Sequence, residues 1–401
     1  MLPEIYLQWL AWGFGIAVLL GAVVNRTNFC TMGAVSDLVN MGDTGRIRAW
    51  VFAIAVAMLG AWILEANGIV DLNRTMPPYR TANFDWLRYL LGGTLFGIGM
   101  TLSGGCVNKT LVRIGGGNLK SLVVLLFGGI MAYLMTMTDF YHYAFHVWIN
   151  PTSVELTRYG IDSQAIPRLL AALFGTRDAG LFHALTSGLL ILLLLAWVFR
   201  SRDFRRRPAN LVGGGTVGLL VVAAWYLTGG PFGQTVIEEV GFMDVPPRGV
   251  GVMSLTFVNP MGQTLNLLLH PADVTLLTFG VAILTGVIVG ALIDSLLAGR
   301  FRIVGFVSWG DFWRHVAGGI FLGTGGVLAM GCTIGQGVTG LSALALGSAL
   351  AFAGFVFGSG LTMKYEYHRL LDTAGRSWLG TLLVALADFF RSLRPAPESG
   401  S

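Results

Sequence analysis

Charge is what this sequence has least of: only 12% of its 401 residues are Asp, Glu, Lys or Arg, about half the usual fraction of a soluble domain. Beside 54% hydrophobic residues, that shortage excludes a domain wetted on all sides and points to a chain whose solvent is lipid. Cysteine is equally scarce. Cys30, Cys106 and Cys332 are odd in number and lack CxxC spacing, which excludes a disulfide framework and a structural zinc site. The six histidines show no HExxH pattern, and neither a GxSxG elbow nor a phosphate-binding P-loop occurs. No cofactor, metal or nucleotide-driven domain is therefore expected. The net charge of +5 does not indicate nucleic acid, because the basic residues sit in short clusters between apolar runs.

What the chain has instead is apolar runs long enough to cross about 30 Å of hydrocarbon as helix. An all-α polytopic membrane protein is expected, with about nine spanning helices near residues 5–24, 47–67, 88–103, 119–138, 180–199, 211–230, 273–297, 314–330 and 343–363. The first run lacks a basic leader and reads as a retained helix. The densest basic cluster, Arg200 to Arg207, belongs on the cytoplasmic side of a bacterial inner membrane. Counting helices from it puts Arg26, Arg46 and Arg48 inside, the N-terminus in the periplasm, and segments 65–87, 139–178 and 231–272 outside. Those outer segments are rich in proline and aromatics, which suits short interfacial helices or lids. Trp378 to Leu393 reads as an amphipathic helix on the inner surface, followed by a disordered tail.

A duplication organises the chain. RYLLGGTLFGIGMTLSGGC, Arg88 to Cys106, aligns without gaps on RHVAGGIFLGTGGVLAMGC, Arg314 to Cys332, and eight of nineteen positions match, five of them glycine. A weaker echo pairs Phe14–Gly21 with Phe279–Gly286. The helix count gives the echo pair the same orientation and the stronger pair opposite orientations, so inverted and parallel repeats both stay open. Duplicated halves with broken helices meeting near the midplane are the usual plan of secondary transporters. The expected divisions are a first repeat half (1–138), a periplasmic insertion (139–179), a central helix pair (180–230), a second insertion (231–272), a second half (273–365) and an inner amphipathic helix with tail (366–401).

An isolated cysteine in an apolar helix is ordinarily a small buried hydrophobe. Here each of two cysteines directly follows glycine and opens a new segment: GGCVNKTLVRIGGGN at 104–118 and GCTIGQGVTG at 331–340. Half-helices beginning there would present amides and partial positive charge to an anion, with Gly105 and Gly331 permitting close approach. The Gly92, Gly93, Gly97, Gly318, Gly319 and Gly323 set is read as helix packing. A thiol is a weak donor and acceptor, poor for hard ions but suited to a large polarisable sulfur or selenium. Several along one path would pass such a ligand on easily. Lys109, three residues past Cys106, is placed to offset the charge or to act as a topology signal, and Asn108, Thr110, Thr333 and Gln336 add donors. Around Cys30, Arg26 and Asp37 are read as a possible structural pair, and Asp294 and Glu65 as weak candidates for proton coupling. A membrane sulfurtransferase or thiol redox enzyme is the alternative from another class; it requires an activated thiolate.

The motifs NFCTMGAVSD at 28–37, GGC at 104–106 and GCTIGQG at 331–337 resemble the YeeE/YedE (sulphur transport) family over nearly the whole chain. The resemblance implies an hourglass-shaped membrane fold in which Cys30, Cys106 and Cys332 line a central path for thiosulfate. It implies a transporter rather than an enzyme, and a cytoplasmic sulfur-carrier or sulfurtransferase protein as a possible partner. Related sulfur or selenium anions remain alternative cargo.

Overall fold

The computed structural model describes residues 2–176, 179–372 and 375–393, and among them helix predominates, with almost no strand. The proposed tail beyond Leu393 lies outside the described residues. The first half comprises α1 (Glu4–Thr27), α2 (Thr31–Ser36), α3 (Gly45–Ala66), α4 (Trp86–Leu102), α5 (Val107–Gly115) and α6 (Leu119–Met137). One turn, α7 (Val147–Ile149), and α8 (Ile166–Phe174) precede α9 (Ala179–Arg200), α10 (Arg202–Arg206), α11 (Pro208–Gly229) and α12 (Pro231–Gly241). The remainder is α13 (Val258–Leu269), α14 (Phe279–Leu297), α15 (Trp309–Leu328), α16 (Leu346–Leu370) and α17 (Trp378–Ser392). Short helices in the 139–178 and 231–272 segments match their expected character, and a two-residue antiparallel pair, Asn83–Phe84 with Val154–Glu155, ties the first of them to the loop before α4.

Among the described residues, eight stretches are long and apolar enough to cross a membrane, which makes this a multi-pass α-helical membrane protein. The ninth long helix, α15, opens with Asp311 and Arg314 and runs beside α4. Caps explain where the expected boundaries shift. Thr278 accepts from the Val281 amide and starts α14 six residues after position 273. Ser308 accepts from the Asp311 amide and starts α15 before Arg314. In both cases one hydroxyl satisfies an otherwise unpaired first-turn amide.

Contacts between helices give their relative directions, and these agree with the alternation counted from the sequence. Tyr6 Oη donates to Leu277 O at 2.8 Å at one end, and Asn25 Nδ2 donates to Asp294 Oδ2 at 2.8 Å at the other, so α1 and α14 are parallel. The duplicated helices α4 and α15 are antiparallel and meet through matched glycines. Gly92 abuts Ala329 and Leu328, while its repeat counterpart Gly318 abuts Ser103, the counterpart of Ala329. Gly99 abuts Leu322 and Gly318; its counterpart Gly325 abuts Phe96 and Gly92, their counterparts in turn. The rule extends outward: Gly93 and Gly97 pack on α16, and Gly319 and Gly323 on α6. A local two-fold thus relates the α4–α6 unit to the α15–α16 unit, with small residues letting backbones approach where lipid supplies no hydrophobic drive.

The helix ends that carry Arg26, Arg46, Arg207 and Arg300 gather on one face, whereas Arg88 opens α4 on the other. On the first face Arg207 pairs with Asp43 at 2.8 Å, and Arg26 and Arg300 pair with Asp294 at 3.2 and 2.8 Å. This corrects the expected pair of Arg26 with Asp37. Asp37 pairs with Arg46 at 3.2 Å, because Asn28 at φ 53° turns the chain away from Arg26 after α1.

Candidate functional site

Each cysteine sits at the same local position, the residue immediately before a short helix, and Cys30 and Cys106 are extended there. Cys30 (φ −151°, ψ 127°) precedes α2, Cys106 (φ −72°, ψ 173°) precedes α5, and Cys332 precedes a short helical segment through Gly340. Helix starts carry unpaired amides and partial positive charge, and glycines before Cys106 and Cys332 let the chain break there. The Gly335 amide donates to Cys332 Sγ at 3.4 Å, a first-turn group satisfied by sulfur. All three thiols are free and buried.

The fold brings them into one neighbourhood. Thr31, next to Cys30, donates its hydroxyl to Cys106 Sγ at 3.9 Å. Cys106 and Cys332 lie in one buried core cluster together with Phe29, the residue before Cys30. Residues separated by 226 positions in the chain thereby share one core.

The remaining predicted residues divide by role. Lys109 Nζ donates to Asn28 Oδ1 at 2.6 Å, which sets the cation beside the Cys30 segment. A methyl on Gly105 would lie 3.0 Å from Cγ of Lys109, and one on Gly331 would lie 3.3 Å from Cγ of Gln336, so both glycines clear room for a side chain folded back over the break. The repeat counterparts Gly104 and Met330 take positive φ, 72° and 60°, and the amide that reaches a sulfur belongs to Gly335 rather than Gly331. Gln336 is fully engaged: Nε2 donates to Ala329 O at 2.6 Å and Oε1 accepts from the Ser348 hydroxyl. Asn108 and Thr333 differ, being 2% and 0% exposed with Asn108 Oδ1 and Thr333 Oγ1 lacking any partner. Such groups cost about 1–3 kcal/mol each, so they are available to a ligand. Carrying the repeat register past the cysteines puts uncharged Gly335 and Thr339 opposite Lys109 and Arg113.

Cavities flank the thiols on two sides. One of about 290 Å³ is bounded by Met76, Arg88, Met253, Gln263, Met330 and Gly331, and so reaches the residue before Cys332. On the arginine-rich side, Asn28, Cys30, Arg46, Trp50 and Asn210 line a constriction of about 10 Å³, no larger than a single water requires.

Three residues here escaped sequence reasoning. Thr31 is one. Tyr79 donates its hydroxyl to Gly335 O at 2.9 Å, holding the loop between α3 and α4 over the Cys332 segment. Trp50 stacks on Phe29 with centroids 4.5 Å apart. The one available signal was the Pro77-Pro78 pair beside Tyr79, which marks a stiffened loop.

The family model for sulphur transport matches residues 26–361, a span that contains all three thiols and the glycine seam. The chain belongs to the sulphur transport family. Among its relatives, the "Thiosulfate transporter TsuA" of Escherichia coli strain K12 is 25% identical over 346 residues, covering 81% of this chain and 86% of that protein. The protein of the same name from Spirochaeta thermophila is 26% identical over 355 residues, covering 86% and 96% respectively. In this sulphur transport protein, then, the family match and the buried thiols fall on the same segments.

Proposed function

We propose that this protein carries thiosulfate or a related sulfane-sulfur anion across a bacterial inner membrane along a path lined by Cys30, Cys106 and Cys332. The observation that carries the reading is the position of Cys106, whose sulfur accepts from Thr31, the residue after Cys30, inside the buried core that also holds Cys332. Soft sulfhydryls hold a terminal sulfur weakly enough to release it, and release is what conduction demands. Lys109, Asn108, Thr333 and half-helix amides offset the anion, whose bare charge would cost several kcal/mol in an apolar interior. The names of the two relatives favour thiosulfate as cargo.

The carboxylates first considered for proton coupling support passage without them. Glu65 is held by Arg80 and Asp294 by Arg26 and Arg300, so each is a structural counter-charge. A soluble thiol-bearing sulfur acceptor at the arginine-rich face would keep the flow inward by consuming what arrives.

The test is thiosulfate uptake by cells lacking other thiosulfate and sulfate importers, with Cys106→Ala and Cys332→Ala at matched membrane levels. Both variants are expected to lose uptake. Retained uptake in both sinks the thiol mechanism, and a stable extra sulfur on either cysteine by intact mass would favour a sulfurtransferase instead.

A further inference from the structure

Building on the transport reading above, we infer that Trp50 is a ligand-binding residue of the path, its indole N–H donating to the oxygens of a sulfur oxyanion as the anion passes Cys30.

Trp50 lies on α3, and its ring is enclosed on three sides. It stacks on Phe29, immediately before Cys30, with centroids 4.5 Å apart and planes 26° from parallel. Phe352 on α16 approaches to 6.1 Å. A methyl on Gly337, in the segment that follows Cys332, would meet the indole six-membered ring at 3.6 Å. One ring thus stacks on the residue before the first thiol and lies beside the segment that follows the third, and it lines the constriction beside Cys30.

The ring is 1% exposed, yet Nε1 has no hydrogen-bond partner. A buried indole ordinarily finds an acceptor, because leaving the donor dry forfeits its hydration. Phe would provide the same stacking without that penalty. The unmet donor is explained if its acceptor is transient.

Thiosulfate has a soft sulfur at one end and oxygens at the other. Thiols suit the first, whereas an N–H suits the second. Asn28 and Arg46 line the same constriction and give the oxygens further polar company. A constriction of about 10 Å³ must widen to admit the anion, so the donor meets oxygen only during passage.

Trp9 offers an internal control. Its Nε1 is likewise unpartnered, but its ring packs on Phe279 at 4.8 Å and on Tyr6 at 5.7 Å, near the far end of α1 from Cys30. Trp50→Phe and Trp9→Phe therefore make the same chemical change in two places. The experiment measures thiosulfate uptake rate and half-saturation for wild type and both variants, with the melting temperature of each purified protein. A third variant carries benzothienylalanine at position 50, which keeps the fused ring and removes only the N–H.

Losing a hydrogen bond to a charged ligand should reduce uptake efficiency about tenfold in Trp50→Phe and in the benzothienyl variant, while Trp9→Phe stays near wild type. Wild-type uptake in the benzothienyl variant overturns the inference, as does an equal loss in the position 9 and position 50 phenylalanine variants. Should Trp50→Phe fail to fold, the benzothienyl variant decides alone. A wild-type chain that carries no thiosulfate overturns the transport reading, and this inference with it; a competent wild type with unimpaired position 50 variants overturns only the role of Trp50.

Discussion

Lys109 Nζ lies 2.6 Å from Asn28 Oδ1, so the cation of the second thiol segment is held by the turn that introduces the first. Asn28 performs two tasks, since it also ends α1 in the left-handed region at φ 53°. The two separate in variants. Asn28→Gly keeps the turn and frees the lysine, because glycine adopts positive φ without strain. Lys109→Met removes the charge and is expected to lower thiosulfate uptake about tenfold or more, and Asn28→Gly by less, at unchanged membrane levels. Uptake measured across a range of thiosulfate concentrations checks both.

The antiparallel seam of α4 and α15 predicts matched consequences for matched positions. Gly99→Leu and Gly325→Leu each drive a side chain into the partner backbone, where a well-packed interface has no slack. Both should reduce recovery of monodisperse protein to a similar extent, whereas Gly15→Leu, which has open space around it, should not. Size-exclusion chromatography in detergent reads the outcome.

Asp294 is held by Asn25, Arg26 and Arg300. Asp294→Asn is expected to cost about 1–3 kcal/mol, since both arginines remain half or more exposed and are screened by water. Transport per folded molecule should persist, because the carboxylate acts as a brace. Thermal unfolding and uptake normalised to folded protein separate the two effects.

Hydrogen bonding from Arg207 holds the Asp43 carboxyl below the ordinary aspartate range. A carboxyl depressed in the folded state stabilises above its unfolded value, about 3.9, and that contribution fades as pH falls through the lower folded value. Asp43→Asn should therefore lower the melting temperature at pH 7. The gap to wild type should narrow below about pH 4, which melting curves across pH would show.

The helices and their alternation were legible because apolar length and basic clusters are dictated by the bilayer. The duplicated Arg88–Cys106 and Arg314–Cys332 segments foretold their pairing, and the glycines assigned to packing do pack. Less legible was anything that depends on how the chain turns. Asp37 looks like a partner for Arg26 along the sequence, but the Asn28 turn delivers it to Arg46. Tyr79 and Trp50 are unremarkable as letters; only the folded loop before α4 and the stacking on Phe29 bring them to the thiols. Helix starts were misjudged where a single hydroxyl, Thr278 or Ser308, decided them.

The two-fold that relates Cys106 to Cys332 governs backbone and not electrostatics, since Gly335 and Thr339 stand where the other half has Lys109 and Arg113. In the uncoupled path proposed above, one electrified half would act as a rectifier, skewing how quickly an anion loads from either side while leaving the equilibrium distribution untouched. Net accumulation along such a path would then depend on whatever removes cargo downstream.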